Sequence, residues 1–485
     1  MAPSDASSDG IVTAFSRLVA RQPSGAIVVS SRRRATFGEI DALSRAVSDR
    51  VLAARAEPGA LVGLAAPNGP AFLAGFMGLR RAGQSALLLD PLAPQEDRQR
   101  AVTTLGASAV LECSDAWPSS AGDFRLTHTA ASASIRGLPG IAAVKLTSGS
   151  TGAPRGVAMR TEHLLTDEAA LNHTMGLCSD DRLWASVPLS HSYGFTTLAL
   201  SALVRGLTLV IPADRRRPFA SLAAARDLGV TVFATVPAYI QALLKVSAPT
   251  AWPGDIRLVI SAGAFLPGAI AAKFRHAFGQ PVHTFYGSSE CGGICYDRDG
   301  GAAERGTVGT PVDGVRLSLM PLEQHAAEEG LVVVESPGVG ETYLPEPDSR
   351  LGSGRFETSD VGAWQGGEIA LRHRVDRVIN VRGRKVDPSE VEMVLSALDG
   401  VEEVVVIGMA SPDGRDEIVH AVMACPSVRP KYRDVAAWCR HRLADHKVPR
   451  SVVFVDAIPR TSRGKIDRSA LLTLHPDQDS AETHG

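Results

Sequence analysis

Lysine is nearly absent from this 485-residue chain: seven lysines leave 43 arginines in a basic total of 50. A lysine kept against that bias marks a place where a compact, mobile ammonium matters. Net charge is nearly absent too. The formal balance of −2 at pH 7 excludes the long-range pull on nucleic acid or anionic membrane that a basic protein exerts. The six cysteines, Cys113, Cys178, Cys291, Cys295, Cys425 and Cys439, are scattered. Cys291 and Cys295 are close, but no second pair or nearby histidine completes a zinc site. Residues Met1 to Gly10 lack a basic region followed by an apolar core, so free thiols in a reducing cytoplasm are expected. One uncharged run, Ala60 to Leu79, is long enough to cross a bilayer, yet Pro67-Asn68-Gly69-Pro70 interrupts it. It reads as a buried strand, a turn and a buried helix, with no membrane span. Internal repeats and low-complexity linkers are missing.

What is present is the pattern of a globular α/β protein. Apolar residues make up 45% and charged residues 21%, and the length predicts two or three domains. Strand-like and helix-like runs alternate: Ala60 to Ala66, Ala71 to Ala82, Ser85 to Leu89, then Leu207 to Pro212, Ser221 to Leu228, Val230 to Thr235, Ala238 to Lys245 and Leu258 to Ser261. Such alternation predicts mostly parallel sheets, with ligand loops at the carboxyl ends of the strands. Beyond Ala363 the texture changes. Glu368 to Leu371 and Val375 to Val381 read as a hairpin. Pro388 to Leu398 reads as a helix, Val401 to Met409 as a strand, Asp434 to Leu443 as a helix and Ser451 to Val455 as a strand. The expectation is a large multi-subdomain N-terminal α/β domain over 1–374 and a small mobile α+β domain over 375–485.

The segment Leu146-Thr147-Ser148-Gly149-Ser150-Thr151-Gly152-Ala153-Pro154-Arg155-Gly156 follows the apolar run Ile141 to Val144. It offers backbone N–H groups, hydroxyls and one cation, the chemistry of a phosphate cradle. It is not the G-x-x-x-x-G-K-[ST] loop of P-loop nucleotidases. Further strings follow in order: Pro188-Leu189-Ser190-His191-Ser192-Tyr193-Gly194-Phe195, Ser261-Ala262-Gly263-Ala264-Phe265-Leu266-Pro267, Thr284-Phe285-Tyr286-Gly287-Ser288-Ser289-Glu290, Thr358-Ser359-Asp360, Arg374-Val375-Asp376-Arg377, Val381-Arg382-Gly383-Arg384-Lys385, and Pro459-Arg460-Thr461-Ser462-Arg463-Gly464-Lys465-Ile466. Taken together they resemble the signature motifs of the adenylate-forming superfamily, most of all its acyl- and aryl-CoA synthetases, over about residues 10 to 475. The chain departs from the usual pattern at Arg155 (commonly Lys), Ser289 (commonly Thr), Ser359 (commonly Gly) and Arg377 (commonly acidic).

The resemblance implies a division of labour. Thr147, Ser148, Gly149, Ser150, Thr151, Gly152 and Arg155 would clamp the β- and γ-phosphates of ATP. Gly263, Ala264, Phe285, Tyr286 and Gly287 would lie against the adenine, and an aromatic such as Tyr286 can stack on it. Ser289 would donate to the α-phosphate, and Glu290 would hold Mg2+ through carboxylate oxygen. Asp360 would accept from the ribose hydroxyls, with Arg374 also on the nucleotide. Asp376 would be the hinge, and Gly383 and Lys385 would face the thiol tunnel. Lys465 would be the adenylation lysine, bridging two anions as a carboxylate meets the α-phosphate. His191 would stand at the mouth of the acid site, lined by Tyr193, Phe195, Tyr239, Ala262, Gly263, Cys291, Gly292 and Ile294. Gly292-Gly293 reads as leaving room on one side of it.

The implied function is ATP-dependent activation of a carboxylic acid to acyl-AMP, then thioester formation with CoA. Two alternatives stay open: loading of a carrier-protein phosphopantetheine, and an inactive nucleotide-binding relative. Amino-acid-activating relatives carry an Asp shortly after the His-containing segment. Pro188 to Leu203 has no acidic residue, and an unpaired buried ammonium is costly. A fatty or aryl acid without an α-amino group is therefore expected.

Overall fold

The computed structural model describes residues 9–54, 57, 59–129, 140–147, 154–212, 218–245, 252–322, 328–375, 379–381, 384–411, 417–461 and 466–474. The chain forms two compact units, one of residues 1–318, 333–358 and 364–370, the other of residues 319–332, 359–363 and 371–485.

The first unit is built on two sheets. The larger has nine strands, in the order Thr310–Pro311, Gly292–Tyr296, His283–Ser288, Leu258–Ala262, Val232–Thr235, Arg182–Ala185, Thr208–Val210, Ala26–Val29 and Arg34–Thr36. Its six central strands, from His283–Ser288 to Ala26–Val29, are parallel. Both edges turn antiparallel. The second sheet runs Thr342–Leu344, Arg155–Arg160, Ile141–Thr147, Ser85–Leu89, Leu61–Ala65, Ala109–Glu112 and Arg125–His128. Parallel strands covered on both faces need apolar residues throughout, and Leu61–Ala65, Ser85–Leu89 and Leu258–Ala262 are buried at every position.

The uncharged run of the sequence resolves into the strand Leu61–Ala65, a turn and the helix Pro70–Arg81. That helix starts on a proline at its first position, where the missing N–H costs nothing, and is buried from Pro70 through Leu79. Gly78 lets it approach the helix Phe37–Ala53: a Cβ there would lie 2.5 Å from Val47 Cγ1. No helix among the described residues is long and apolar enough to cross a membrane.

The second unit holds a three-stranded sheet of Glu403–Ala410, Glu417–Ala424 and Ser451–Val455. The helices Pro388–Ser396 and Tyr432–Arg440 share its core through Val391, Leu395, Val435 and Cys439, packed with Val406, Val419 and Ala421. Asp387 caps the first helix, accepting from Ser389 N at 2.9 Å. The hairpin expected between 368–371 and 375–381 is not formed. Glu368–Arg374 pairs instead with Arg355–Gln365, and Ile379–Val381 with Arg384–Val386. Short runs of similar hydrophobicity leave strand partners unspecified until the chain between them is placed.

Within the first unit one buried side chain ties the two sheets together. Asn68, in the turn after Leu61–Ala65, donates through Nδ2 to Ala185 O at 3.0 Å and Val187 O at 2.7 Å, and accepts from Leu189 N at 2.9 Å. It thereby fixes the backbone that leads to His191. Asn68→Leu removes all three bonds and strands three buried backbone groups. It is expected to cost about 3 kcal/mol, read as a lowered denaturant midpoint with an unchanged slope.

Candidate active site

The phosphate-loop segment joins two antiparallel strands. Ile141–Thr147 pairs with Arg155–Arg160, with Thr147 opposite Arg155, and Thr147 Oγ1 donates to Arg155 O at 3.4 Å. The loop positions Ser148, Gly149, Ser150, Thr151 and Gly152 lie outside the described residues, as do Asp376, Gly383 and Lys465. The ends of the Lys465 segment are nevertheless pinned together. Arg460 bridges Ile466, and Asp467 N donates to Pro459 O at 2.9 Å. Lys385 lies in the strand Arg384–Val386, opposite Asn380.

The remaining motifs of the first unit sit where parallel strands end. After His283–Ser288 the chain turns through Ser289 and Glu290. Ser288 Oγ accepts from the N–H of Glu290 at 3.2 Å and of Cys291 at 3.3 Å, closing the turn with its own side chain. Ser289 Oγ donates to Leu146 O at 3.4 Å, at the root of the phosphate-loop hairpin. Glu290 is half-buried, and Tyr343 Oη donates to its Oε1 at 3.0 Å. Tyr286 is half-buried on the strand His283–Ser288, while Phe285 is buried and meets the Tyr193 ring at 5.5 Å. After Leu258–Ala262, Gly263 takes φ +84°, a conformation open to glycine, and Gly263, Ala264 and Phe265 are exposed. A flat ligand has a surface to lie on there.

The acid-site candidates divide. His191 precedes the turn Ser192–Gly194, with Nε2 at 3.8 Å from the buried Asp90. Tyr193 donates to Ile260 O at 3.5 Å, and burial pushes its phenol pKa well up. Ala262 and Ile294 are buried. Cys291 is buried beside Ser288 Oγ at 3.2 Å, and burial raises its thiol pKa, which disfavours the thiolate. Phe195 begins a π-wound stretch, Phe195–Leu200, and packs edge-on against Phe76 at 5.0 Å and Phe72 at 6.2 Å. Tyr239 packs against Phe233 at 5.9 Å, on the core shared by Trp184, Val259 and Phe274. In the second unit, Asp360 and Arg374 stand 3.5 Å apart, a carboxylate and a guanidinium side by side.

Gly292 and Gly293 do not leave open space. Gly292 has φ +72°, and a Cβ on it would sit 2.0 Å from Asp167 Oδ2; one on Gly293 would sit 2.6 Å from Leu171 Cδ2. Both glycines exist so that the helix Thr161–Thr174 can press against this turn. Asp167 Oδ1 accepts from Gly293 N at 2.9 Å. Close by, Lys145, on the strand leading into the phosphate loop, is 1% exposed and donates to Thr196 Oγ1 at 3.3 Å. Burial pushes the Lys145 pKa down, and Asp167 pulls it back up. Burial pushes Asp167 up, and Lys145 opposes it. Sequence reasoning passed over Lys145, Asp167, Asp90 and Tyr343. Lysine scarcity was the one available signal, and it pointed at Lys145 as much as at Lys465.

These groups suit a magnesium–nucleotide ligand. Mg2+ prefers one or two carboxylates plus phosphate oxygens, and Glu290 offers one carboxylate. No group of three or more His, Cys, Asp or Glu that could hold a metal occurs among the described residues. One carboxylate beside the root of the phosphate loop fits a metal that arrives on a phosphate.

Two family models match in tandem: AMP-binding enzyme over residues 15–344 and AMP-binding enzyme C-terminal domain over residues 390–465. Among characterised relatives, an oxalate–CoA ligase of Arabidopsis thaliana is 26% identical, covering 91% of this chain and 94% of its own. A methyl-dioxo-octahydroindenyl-propanoyl:CoA ligase of Mycobacterium tuberculosis is 30% identical over 68% of this chain, and the match spans 66% of that ligase. The o-succinylbenzoate CoA synthetase of Bacillus subtilis, solved with its acyl-adenylate, superposes with a TM-score of 0.80 at 20% identity, covering 97% of this chain and 99% of that one. The same enzyme has been solved with ATP and magnesium ion. This fold and its matches define the acid–thiol ligases that work through an acyl-AMP and use ATP, Mg2+ and CoA. The chain belongs to the AMP-binding enzyme family.

The buried pair generates a prediction. Lys145→Met alone removes the donor to Thr196 and the Coulombic support for the buried Asp167, and should cost about 1–3 kcal/mol. Combining it with Asp167→Asn, which keeps an acceptor for Gly293 N–H, should recover most of that loss in chemical denaturation. Equal losses in the single and double variants would show that the two charges do not compensate one another.

Proposed function

We propose that this enzyme activates a fatty or aryl acid lacking an α-amino group and transfers the acyl group to CoA. The observation that carries the reading is the contact of Ser289 with Leu146. It joins the turn bearing Glu290 to the root of the phosphate-loop hairpin, so one phosphate chain can meet both. The absence of an acidic residue from Pro188 to Leu203 supports an acid without an ammonium. The buried Asp90 carboxylate lies 3.8 Å from His191 Nε2 and accepts from Leu92 N at 2.9 Å.

In the first half-reaction a carboxylate oxygen of the acid attacks the α-phosphorus. A P–O bond to the acid forms, the bond to the β-phosphate oxygen breaks, and pyrophosphate leaves. Positioning and charge stabilisation suffice, without a protein nucleophile. Bound Mg2+ would neutralise charge on the phosphates. Glu290 would hold it, Ser289 would donate to the α-phosphate, and Thr147 to Gly152 with Arg155 would retain the leaving pyrophosphate. Gly263, Ala264, Phe285, Tyr286 and Gly287 would frame the base. Asp360 and Arg374 would take the ribose side, and Lys465 would bridge the two anions. In the second half-reaction the CoA sulfur attacks the acyl carbon and AMP departs. Residues 375–485 would swing about Asp376 to exchange Lys465 for the Gly383 and Lys385 face, a lid movement that also excludes water from the anhydride. Of the six cysteines, all free, five are buried, which suits a cytoplasmic enzyme.

Lys465→Ala should lower acyl-AMP formation by about 10²- to 10³-fold while AMP affinity stays within about twofold. Acid-dependent pyrophosphate release, screened over aliphatic and aromatic acids with and without CoA, checks the reading. Release with no acid of either class would sink it. Release that yields thioester only when a phosphopantetheinylated carrier protein replaces CoA would reassign the acceptor.

A further inference from the structure

We propose that Tyr343 is a positioning residue for Glu290, and that Arg155 braces Tyr343 in that role. The inference rests on the reading above, in which Glu290 holds Mg2+. Tyr343 lies in the short strand Thr342–Leu344, antiparallel to Arg155–Arg160 and opposite Val157. It is therefore fixed to the strand that leaves the phosphate loop. Tyr343 is 4% exposed, and its phenol donates to Glu290 Oε1 at 3.0 Å. The Arg155 guanidinium lies over the same ring, with Cζ 4.0 Å from the centroid. Arg155 is held from a second side by Asp348 at 3.3 Å, and Asp348 is itself paired with Arg350 at 2.8 Å.

One side chain thus contacts both the cation at the end of the phosphate loop and the carboxylate assigned to the metal. A carboxylate with one oxygen engaged by a phenol keeps the other for a metal and loses its rotational freedom. That freedom would otherwise have to be surrendered on binding. Arginine suits the other contact because a planar guanidinium stacks on an aromatic face while its edge pairs with a carboxylate. The position where relatives commonly carry lysine is accordingly arginine, and its planar group is used. Glu290 O also accepts from Gly340 N at 2.8 Å, so backbone and side chain of Glu290 are held from the same stretch of chain.

The test is calorimetric titration of ATP, with Mg2+ and with EDTA, on the full-length enzyme without acid. The quantity read is the factor by which Mg2+ tightens ATP binding. Tyr343→Phe removes one oxygen and keeps the ring under Arg155, so AMP affinity should hold and the melting temperature should fall by no more than a few degrees. The Mg2+ factor should fall by about 5- to 10-fold. Glu290→Gln should reduce the factor at least as far, and adding Tyr343→Phe to it should reduce it no further, because Tyr343 acts through Glu290. An unchanged factor in Tyr343→Phe, or an equal further loss in the Glu290→Gln background, overturns the inference. An unchanged factor in Glu290→Gln instead overturns the assignment of the metal to Glu290.

Discussion

Lys145 carries its amine into the interior on the strand that leads to the phosphate loop, where a polar group must find a partner away from water. Thr196 accepts from its Nζ at 3.3 Å, and the buried Asp167 carboxyl opposes the downward push of burial on the lysine pKa. The same carboxylate takes the Gly293 N–H at 2.9 Å. The contacts of these two buried groups join the phosphate-loop strand to the π-wound stretch after His191, and the helix Thr161–Thr174 to the turn after Glu290. Gly292 is glycine because the carboxylate occupies the volume its Cβ would need.

Around that point the chemistry is arranged by strand ends. Parallel strands deliver their following loops to one edge of the sheet. Gly263 and Ala264 follow Leu258–Ala262 there, and Ser289 and Glu290 follow His283–Ser288. Asn68 brings the segment before His191 to the same region from the other sheet. These groups are hydroxyls, carboxylates and backbone donors, fit to hold a polyphosphate and an acid in line and let the substrates react. The groups assigned to the ribose, Asp360 and Arg374, belong to the second unit, as does the lysine assigned to the bond-breaking step.

Much of the architecture was legible because burial on both faces writes continuous apolar runs into a strand. Ser85–Leu89 was read with its observed ends, and Leu61–Ala65 and Pro70–Arg81 to within a residue or so. Pairing was less legible. Residues 375–381 were assigned the wrong neighbour because hydrophobicity records that a strand is buried, not against which strand. The two glycines after Cys291 were misread for a related reason. A missing side chain means close approach, and the sequence does not say whether ligand or protein approaches. Here it is Asp167 and Leu171, more than 120 residues away in the chain. Tyr343 gave no signal at all, since its strand is three residues long and its partners, Arg155 and Glu290, belong to distant motifs.

By itself the sequence determined the family and nominated candidate groups, because motif residues carry chemistry that survives in one dimension: hydroxyls suited to phosphates, carboxylates suited to metal and ribose, and a lysine kept where arginine is the rule. Tertiary structure alone decided how those groups are held. A lysine the motifs passed over is buried against Thr196, and the arginine expected on the phosphates is stacked on a tyrosine and paired with Asp348. The reason is physical. Which cation is free to move and which is locked depends on countercharges and ring faces contributed by remote segments, and only folding brings those within reach.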